Sequence, residues 1–188
     1  MTAVTSDELN AAALVSTRSA LQMQVVQALR QVLPEHAILF TAEDTTPYEC
    51  DGLTAYRERP LVVALPETAY QVQAVLQACN QLQVPVVARG AGTGLSGGAM
   101  PHKMGVTLSM AKFNTILKVD PVSRTAVVQC GVRNLAISEA AAPYGLYYAP
   151  DPSSQIACTI GGNVAENSGG VHCLKYGLTV HNLSLIHI

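Results

Sequence analysis

Apolar residues recur at steps of three and four residues in the N-terminal part of the chain, between residues 7 and 33. They are Leu14, Leu21, Val25, Val26, Leu29 and Val32. This spacing places apolar side chains on one face of a helix, and Pro34 cannot continue such a helix. The pattern therefore predicts one long helix, or two short ones, ending before Pro34.

A second periodic stretch begins at Leu61. Residues 61–65 (LVVAL) and 84–88 (VPVVA) are apolar runs of strand length. Between them Thr68 is a candidate N-cap, and the residues that follow it at helical spacing are Val72, Val75, Leu76, Cys79 and Leu82. Strand, helix and strand in this order predict a parallel pair of strands joined by a crossover helix.

The rest of the chain is less regular. We predict a short strand at 37–41, a polar excursion over the surface at 43–60, and strands at 106–110, 115–119 and 125–129. Asp120 and Pro121 form a turn signal, and Asn134 is a candidate cap for a helix that runs to Ala142. Residues 149–182 show no clean period, so no regular element is predicted there. The fold class is α+β, with both parallel and antiparallel strands.

Composition excludes several classes of protein. Apolar residues make up 49% of the chain and charged residues 13%, which is unlike a disordered protein. The net charge of −2 and scattered basic residues give no footprint for nucleic acid. No apolar stretch reaches the ~20 residues of a spanning helix, and residues 1–10 do not resemble a signal peptide. We therefore expect a cytoplasmic chain without a transmembrane segment.

The cysteines do not form a metal-binding framework. The five cysteines contain no CxxC pair, whereas zinc and iron–sulfur sites need ligands at short spacing. We expect no metal and free thiols in a reducing compartment.

Glycines are concentrated in two short segments. Nine of the fourteen lie in Arg89–Gly98 (RGAGTGLSGG), in Gly161–Gly162 or in Gly169–Gly170. Such concentration marks backbone that approaches something closely or adopts positive φ. Successive amide N–H groups in the first segment could form a concave nest for phosphate oxygens. The alternative is an ordinary flexible loop.

Two phosphate-binding motifs fail at this loop. A P-loop needs Lys and Ser or Thr after its last glycine, but Gly98-Ala99 follow Gly97. The letters from Gly92 to Gly97 match GxGxxG, yet a Rossmann site requires a helix to open there. Pro101 and Gly105 leave no room for that helix before the next strand, so we reject a Rossmann site.

Three segments carry a resemblance to a known family. YECDGLTAYR at 48–57, PVVARGAGTGLSGGA at 85–99 and DPSSQIACTIGGNVAENSGGVHCLKYGLTVHN at 151–182 resemble the FAD-binding domain of the vanillyl-alcohol oxidase and p-cresol methylhydroxylase (PCMH) flavoproteins. Within that family they are similar to bacterial glycolate oxidase FAD subunits and to D-lactate and D-2-hydroxyglutarate dehydrogenases.

The resemblance implies a PCMH-type fold with two α/β subdomains around the cofactor. We expect a helical and extended segment at 1–60 and an FAD-binding domain, truncated at its C-terminus, at 61–182. Residues 183–188 (LSLIHI) do not resemble the next strand of the family, and we expect them to be a foreign or aberrant tail.

The resemblance also assigns cofactor contacts. In that family the loop after a strand wraps the FAD pyrophosphate, and the second segment runs beside the flavin. The implied contacts are Arg89, Gly90, Ala91, Gly92, Thr93, Gly94, Leu95, Ser96, Gly97, Gly98, Pro150, Asp151, Ser154, Gly161, Gly162, Asn163, Ala165, Asn167 and Gly169. Some relatives bind flavin covalently through a histidine at the position of Thr93, so noncovalent FAD is expected here.

The implied activity is oxidation of a 2-hydroxy acid of the glycolate or D-lactate type. The hydride at substrate C2 would pass to the flavin while a base takes the hydroxyl proton. In relatives that base lies beyond the matched region, so no catalytic residue is assigned, and we expect the truncated chain to be inactive alone. The resemblance implies an iron–sulfur subunit and a second FAD-domain subunit as partners, through which the protein would lie at the inner membrane. A non-catalytic FAD-binding accessory subunit or module remains the alternative.

Overall fold

The computed structural model describes residues 6–184, with the backbone alone for residues 6–12. Its helices are α1 (Ser6–Leu29), α2 (Ala42–Thr45), α3 (Ala69–Gln81), α4 (Asn134–Ala141), α5 (Ile160–Glu166) and α6 (Cys173–Tyr176). Its strands are β1 (Ile38–Leu39), β2 (Val62–Ala64), β3 (Val86–Arg89), β4 (Val106–Ser109), β5 (Ile116–Asp120) and β6 (Thr125–Val128). Single 3₁₀ turns lie at Glu35–Ala37, Thr46–Tyr48, Ala142–Tyr144 and Thr179–Asn182. The predicted α+β class is confirmed.

The chain forms two compact units. The first contains residues up to 50, 56–87 and 100–108, and the second contains 51–55, 88–99 and the residues from 109 onward. Residues 185–188, most of the predicted tail, lie outside the described residues. The proposed domain boundaries at residues 60 and 182 stay predictions. Within residues 6–184, no helix combines the length and apolar character needed to cross a membrane.

A four-stranded sheet has the order β1-β2-β4-β3. β1 is antiparallel to β2, and β2 is parallel to β4. The prediction that the strand at 61–65 pairs with the strand at 84–88 is wrong, because β4 lies between them. Helical and β periodicity report only local structure, and the strand that is inserted between β2 and β3 comes later in the chain.

The core of the first unit forms around β2. All three residues of β2 are fully buried, as are Leu29 of α1 and Val75 of α3. The Thr68 hydroxyl accepts a hydrogen bond from the Gln71 N–H, which confirms the predicted N-cap of α3. Cys79 is buried on the same helix, and burial raises the pKa of its thiol to about 11. Leu76, predicted on the buried face, is 44% exposed.

The second unit contains the antiparallel pair β5–β6. Asp120 Oδ1 accepts hydrogen bonds from the N–H groups of Val122 and Ser123, which confirms the predicted turn. A small apolar cluster of Val132, Ile137 and Ile160 lies nearby in this unit. Arg133 rather than Asn134 is the N-cap of α4, and Asn134 is fully buried. A buried amide has to form hydrogen bonds with neighbouring polar groups. Asn134 therefore does not cap α4 but bonds to groups inside the protein.

Three short helices have no counterpart among the predicted elements. α2 lies in the stretch predicted to be irregular at 43–60, and α5 and α6 lie in the stretch predicted to lack regular structure at 149–182. Each has seven residues or fewer, which is too short for a periodic pattern to be recognised. α5 also begins with Ile160-Gly161-Gly162, and glycine is a poor helix former. Its N–H groups are anchored instead by tertiary contacts, since Ile160 donates to Val132 O and Gly161 donates to Cys130 O.

Replacement of Val75 by Ala should destabilise the first unit by about 1–2 kcal/mol, because Val75 is fully buried and the change leaves a cavity in the core. Leu76→Ala is the matched control, since it removes a larger side chain from the next, exposed position of the same helix. We expect the control to change the free energy of unfolding by less than about 0.5 kcal/mol. Urea unfolding followed by circular dichroism measures both. Equal losses in the two variants would contradict the assigned helix face.

Candidate functional site

A cavity of about 370 Å³ lies within the second unit. Its walls come from the end of β3, the glycine-rich loop that follows β3, and α5. Twelve of the nineteen residues predicted to contact a cofactor line it: Arg89, Gly90, Ala91, Gly92, Thr93, Gly94, Gly98, Ser154, Gly161, Gly162, Asn163 and Ala165. The structure therefore brings together two glycine-rich segments that are distant in the chain.

Glycines in these segments leave room for neighbouring side chains. A Cβ atom at Gly90 would collide with the hydroxyl of Thr159, and one at Gly161 would lie 2.8 Å from Cys130 Cβ. A Cβ at Gly94 would collide with the carboxylate of Glu166, at the end of α5. Gly90 and Gly94 thus allow the loop to approach the α5 segment more closely than residues with side chains would allow. Gly161 in the same way allows α5 to approach Cys130.

The loop also has a support on its other side. A Cβ at Gly52 would lie 2.8 Å from the carbonyl oxygen of Thr93 and 2.7 Å from that of Gly94, so these carbonyls face Gly52. In a trans peptide the carbonyl and the following N–H point in opposite directions. The N–H groups of Gly94 and Leu95 therefore point away from Gly52.

The loop leaves a row of donors without acceptors. Among the described residues, no backbone N–H from Ala91 to Ala99 donates a hydrogen bond. The residues of this loop are exposed or half-buried, so these N–H groups are open to solvent or to a ligand. Consecutive N–H groups in a curved loop are typical of anion-binding nests. This donor set fits the oxygens of a phosphate or diphosphate. As predicted, no helix directly follows the loop, and among the described residues the next regular element is β4.

Two glycines of the loop have φ in the left-handed region, at +72° for Gly92 and +78° for Gly97. Residues with a Cβ adopt this region at a cost. The buried guanidinium of Arg89 occupies the space that a Gly92 side chain would fill. A cation therefore lies directly beside the row of donors, which again favours a negatively charged ligand.

The remaining wall is mostly uncharged. Eight residues that are not among the predicted contacts also line the cavity: Ala88, Ala99, Met110, Cys130, Cys158, Thr159, Glu166 and Ser168. Burial raises the pKa of the Cys130 thiol, so it stays protonated at neutral pH. Arg89 and Glu166 are the only charged side chains among these described lining residues. Of these residues, Thr159 could have been recognised in the sequence as an N-cap, because a threonine is common at that position of a helix. Its hydroxyl accepts a hydrogen bond from the Gly162 N–H. The other residues carried no recognisable signal.

A second cavity of about 480 Å³ shares part of the same loop. Gly90, Ala91 and Thr159 line both cavities, and the second one continues past Ile116 and Val132. The loop is thus accessible to a ligand in more than one cavity of the second unit.

Two buried amides, one at the start of α4 and one in α5, are joined by a hydrogen bond. Asn134 Nδ2 donates to the carbonyl oxygen of Pro150 at 3.0 Å, and Asn163 Nδ2 donates to Asn134 Oδ1 at 2.9 Å. Of these residues, Asn163 lines the cavity. Pro150, whose carbonyl accepts from Asn134, does not line the cavity, and its predicted contact with the cofactor stays a prediction.

Six further predicted residues also lie outside the set that lines the cavity: Leu95, Ser96, Gly97, Asp151, Asn167 and Gly169. Asp151 Oδ2 lies 2.6 Å from His172 Nδ1, and Asp151 Oδ1 accepts from the His172 N–H. These bonds hold the pKa of the Asp151 carboxyl below its usual range. Asn167 Oδ1 accepts from the Val180 N–H. Asp151 and Asn167 thus organise the segment after α5, and direct contact of these six residues with a cofactor stays a prediction.

Comparisons with known proteins agree with this geometry. A family model described as a FAD binding domain matches residues 60–187. The chain is 66% identical over 164 residues to the glycolate oxidase subunit GlcD of Escherichia coli (strain K12), which is 87% of this chain and 33% of that protein. It is 35% identical over 157 residues to a D-lactate dehydrogenase of Anaerostipes hadrus, which is 83% of this chain and 33% of that protein.

Solved structures show the same fold. Over 79% of this chain and 30% of the other, the TM-score with p-cresol methylhydroxylase crystallised with its substrate is 0.70, at 22% sequence identity. This confirms the predicted PCMH-type fold. The chain spans about a third of the length of the relatives that it matches.

The match over residues 60–187 includes every predicted cofactor contact. The predicted cofactor, FAD, is confirmed by this match, and the noncovalent mode of binding stays a prediction. The loop of unpaired amide donors, the buried arginine and the family match lead to one conclusion: the chain belongs to the FAD-binding domain family of flavoproteins.

Proposed function

We propose that this chain is the FAD-binding part of a flavoprotein oxidoreductase that oxidises a 2-hydroxy acid of the glycolate or D-lactate type. The structural observation that carries the proposal is the row of amide donors beside Arg89 in the cavity. The substrate class is supported by the relatives, which are named as a glycolate oxidase subunit and a D-lactate dehydrogenase.

In this proposal the loop from Arg89 to Gly98 holds the diphosphate of FAD. Its amide N–H groups donate to the phosphate oxygens, and the Arg89 guanidinium balances their charge. Ser154, Asn163 and the small residues of α5 line the part of the cavity that takes the rest of the cofactor. Thr93 offers no nucleophile comparable to a histidine ring nitrogen, so the cofactor is held noncovalently.

FAD supplies two-electron redox chemistry when bound, and the electrons come from the carbon that carries the substrate hydroxyl as that carbon becomes a carbonyl. The described part of the chain has to bind and orient the cofactor. Its cavity wall is poor in acid–base groups, because the Cys130 thiol stays protonated and Glu166 is its one carboxylate. We therefore assign the base that takes the hydroxyl proton to another part of the protein.

The proposal extends to partners. The relative in Escherichia coli is named as a subunit of glycolate oxidase, and this supports assembly of the present protein with other subunits. We propose an iron–sulfur subunit as the electron acceptor and a second FAD-domain subunit beside it. Any attachment to the inner membrane would then occur through these partners.

The first prediction concerns how FAD is attached. The purified protein should contain flavin, and all of it should pass a size filter after denaturation, because Thr93 cannot form the histidine link. Absorbance of the filtrate near the flavin bands measures the released fraction. Flavin that stays with the unfolded polypeptide would contradict noncovalent binding, and a protein that never binds FAD would contradict the proposed cofactor site.

Two glycine variants distinguish the role of the phosphate loop in FAD binding from the general cost of backbone strain. Gly92→Ala should weaken FAD binding by about tenfold or more, because the new Cβ displaces the Arg89 guanidinium and strains the loop. Gly145→Ala is the matched control, since Gly145 has nearly the same φ of +69° but no atom lies within 4 Å of the place that its Cβ would take. Both variants should lose similar stability, about 1–2 kcal/mol. Equal loss of FAD affinity in both would remove the special role of the loop.

The third prediction concerns the substrate. When the part of the protein that carries the base is present, glycolate or D-lactate should bleach the flavin absorbance of the FAD-loaded protein under anaerobic conditions. A related acid without a 2-hydroxyl, such as acetate, should not. Dithionite is the control that shows the flavin can be reduced. Bound FAD that dithionite reduces but no 2-hydroxy acid bleaches would instead support the non-catalytic FAD-binding module.

A further inference from the structure

Three polar groups form a series of hydrogen bonds that ends at Asn163, in the cavity wall. The carbonyl oxygen of Pro150 accepts from Asn134 Nδ2 at 3.0 Å, and Asn134 Oδ1 accepts from Asn163 Nδ2 at 2.9 Å. Asn134 is 0% exposed and Asn163 is 2% exposed. Water therefore cannot replace either bond, and each amide has to pair with the groups that surround it.

The direction of this chain is determined at one end. A backbone carbonyl can only accept a hydrogen bond, so Asn134 has to turn its NH₂ group toward Pro150. Its Oδ1 then faces Asn163, and Asn163 has to donate to this oxygen with its own NH₂ group. If Asn163 were turned over, two carbonyl oxygens would face each other in a buried place, and both would lack a donor. The polarity of both amides thus follows from the carbonyl of Pro150.

Backbone contacts keep the two amides in place. The Asn134 N–H donates to Cys158 O, just before α5, and the Asn163 N–H donates to Thr159 O. Arg133 and Thr159, which precede α4 and α5, are joined by an antiparallel β-bridge. The starts of the two helices are therefore held together, and Asn163 has no freedom to choose another partner for its NH₂ group.

The remaining atom of this pair is an acceptor. Asn163 lines the cavity, and its Oδ1 accepts no hydrogen bond from any residue in the described part of the chain. The loop residues that line the same cavity, 91–94 and 98–99, have backbone N–H groups without an acceptor among the described residues. The cavity thus has donors at the loop and a carbonyl acceptor on α5.

We propose that Asn134 is a positioning residue that fixes Asn163 with its carbonyl oxygen toward the cavity, where it accepts a hydrogen bond from an N–H or O–H group of FAD. The group is a flavin ring N–H, an adenine NH₂ or a hydroxyl of the ribityl or ribose chains. A phosphate cannot take this place, because its oxygens are acceptors. The pair therefore helps to set which end of the cofactor lies at α5. This inference rests on the proposed function, since it takes FAD as the ligand of the cavity.

The polarity can be measured in the unaltered protein. Side-chain NH₂ groups of ¹⁵N-labelled protein are observed by NMR, and their exchange with solvent is followed with and without FAD. We expect the Asn163 NH₂ group to be protected from exchange before FAD is added, because it is bonded to Asn134. Protection that develops only with FAD would mean that the NH₂ group faces the cavity, and it would overturn the proposal.

Variants test the consequence for the cofactor. Asn134→Leu removes both bonds at nearly constant volume and frees Asn163 to turn, and Asn163→Ala removes the acceptor itself. Both should weaken FAD binding by about tenfold. With ADP and FMN as competing ligands, both should weaken the same half of the cofactor and leave the other half unchanged. Asn182→Leu is the control, since it also removes donors to backbone carbonyls, those of Tyr176 and Leu178, but does not line the cavity.

The outcomes separate two kinds of failure. If the unaltered protein binds no FAD, the proposed function fails, while the NMR measurement still decides the polarity of the pair. If FAD binds and the folded Asn134→Leu variant keeps wild-type affinity, or loses affinity for ADP and FMN equally, the positioning role is wrong. If Asn134→Leu does not fold, Asn163→Ala and the exchange measurement decide.

Discussion

A side chain at Gly90 would collide with the hydroxyl of Thr159, and a side chain at Gly161 would collide with Cys130. The glycine-rich loop therefore lies directly against Thr159, which precedes α5, and α5 lies directly against Cys130. This close approach is the constraint on which the site depends. Because the loop is pressed between α5 and Gly52, its carbonyls at Thr93 and Gly94 face Gly52. Its N–H groups are left without partners in the described structure. The donors that suit a diphosphate are thus a consequence of packing as much as of composition.

The chemistry of the cavity changes from one wall to another. The loop side carries amide donors and the buried cation of Arg89, whereas Met110, Cys130 and Cys158 offer an apolar, uncharged surface to a ring system. Asn163 adds an acceptor within this mainly apolar wall. A molecule with a central diphosphate, flanking hydroxyl groups and flat aromatic ends matches all three features, and FAD has this structure. The family match and the geometry therefore support the same ligand independently.

Much of this arrangement could be predicted from the sequence, and the failures have physical causes. The periodicity around Val75 located α3 and its cap at Thr68, and the clustered glycines located both segments of the cavity wall. Periodicity did not reveal that β4 lies between β2 and β3, because strand order is decided by contacts distant in the chain. It also missed α5, whose glycines are poor helix formers and whose stability comes from the Val132 and Cys130 carbonyls. Asn134 resembled a cap because asparagine is common there, and only the fold shows that it is buried against Pro150 and Asn163.

The most direct test of this account is the exchange of backbone amides in the loop. By hydrogen–deuterium exchange with mass spectrometry, the segment from Ala91 to Ala99 should exchange rapidly without ligand, because its N–H groups have no acceptor among the described residues. It should become strongly protected when FAD is added, and ADP should protect it as well, since the diphosphate is common to both. If FAD binds and protects other segments while this loop exchanges at an unchanged rate, the diphosphate is held elsewhere and the account is wrong.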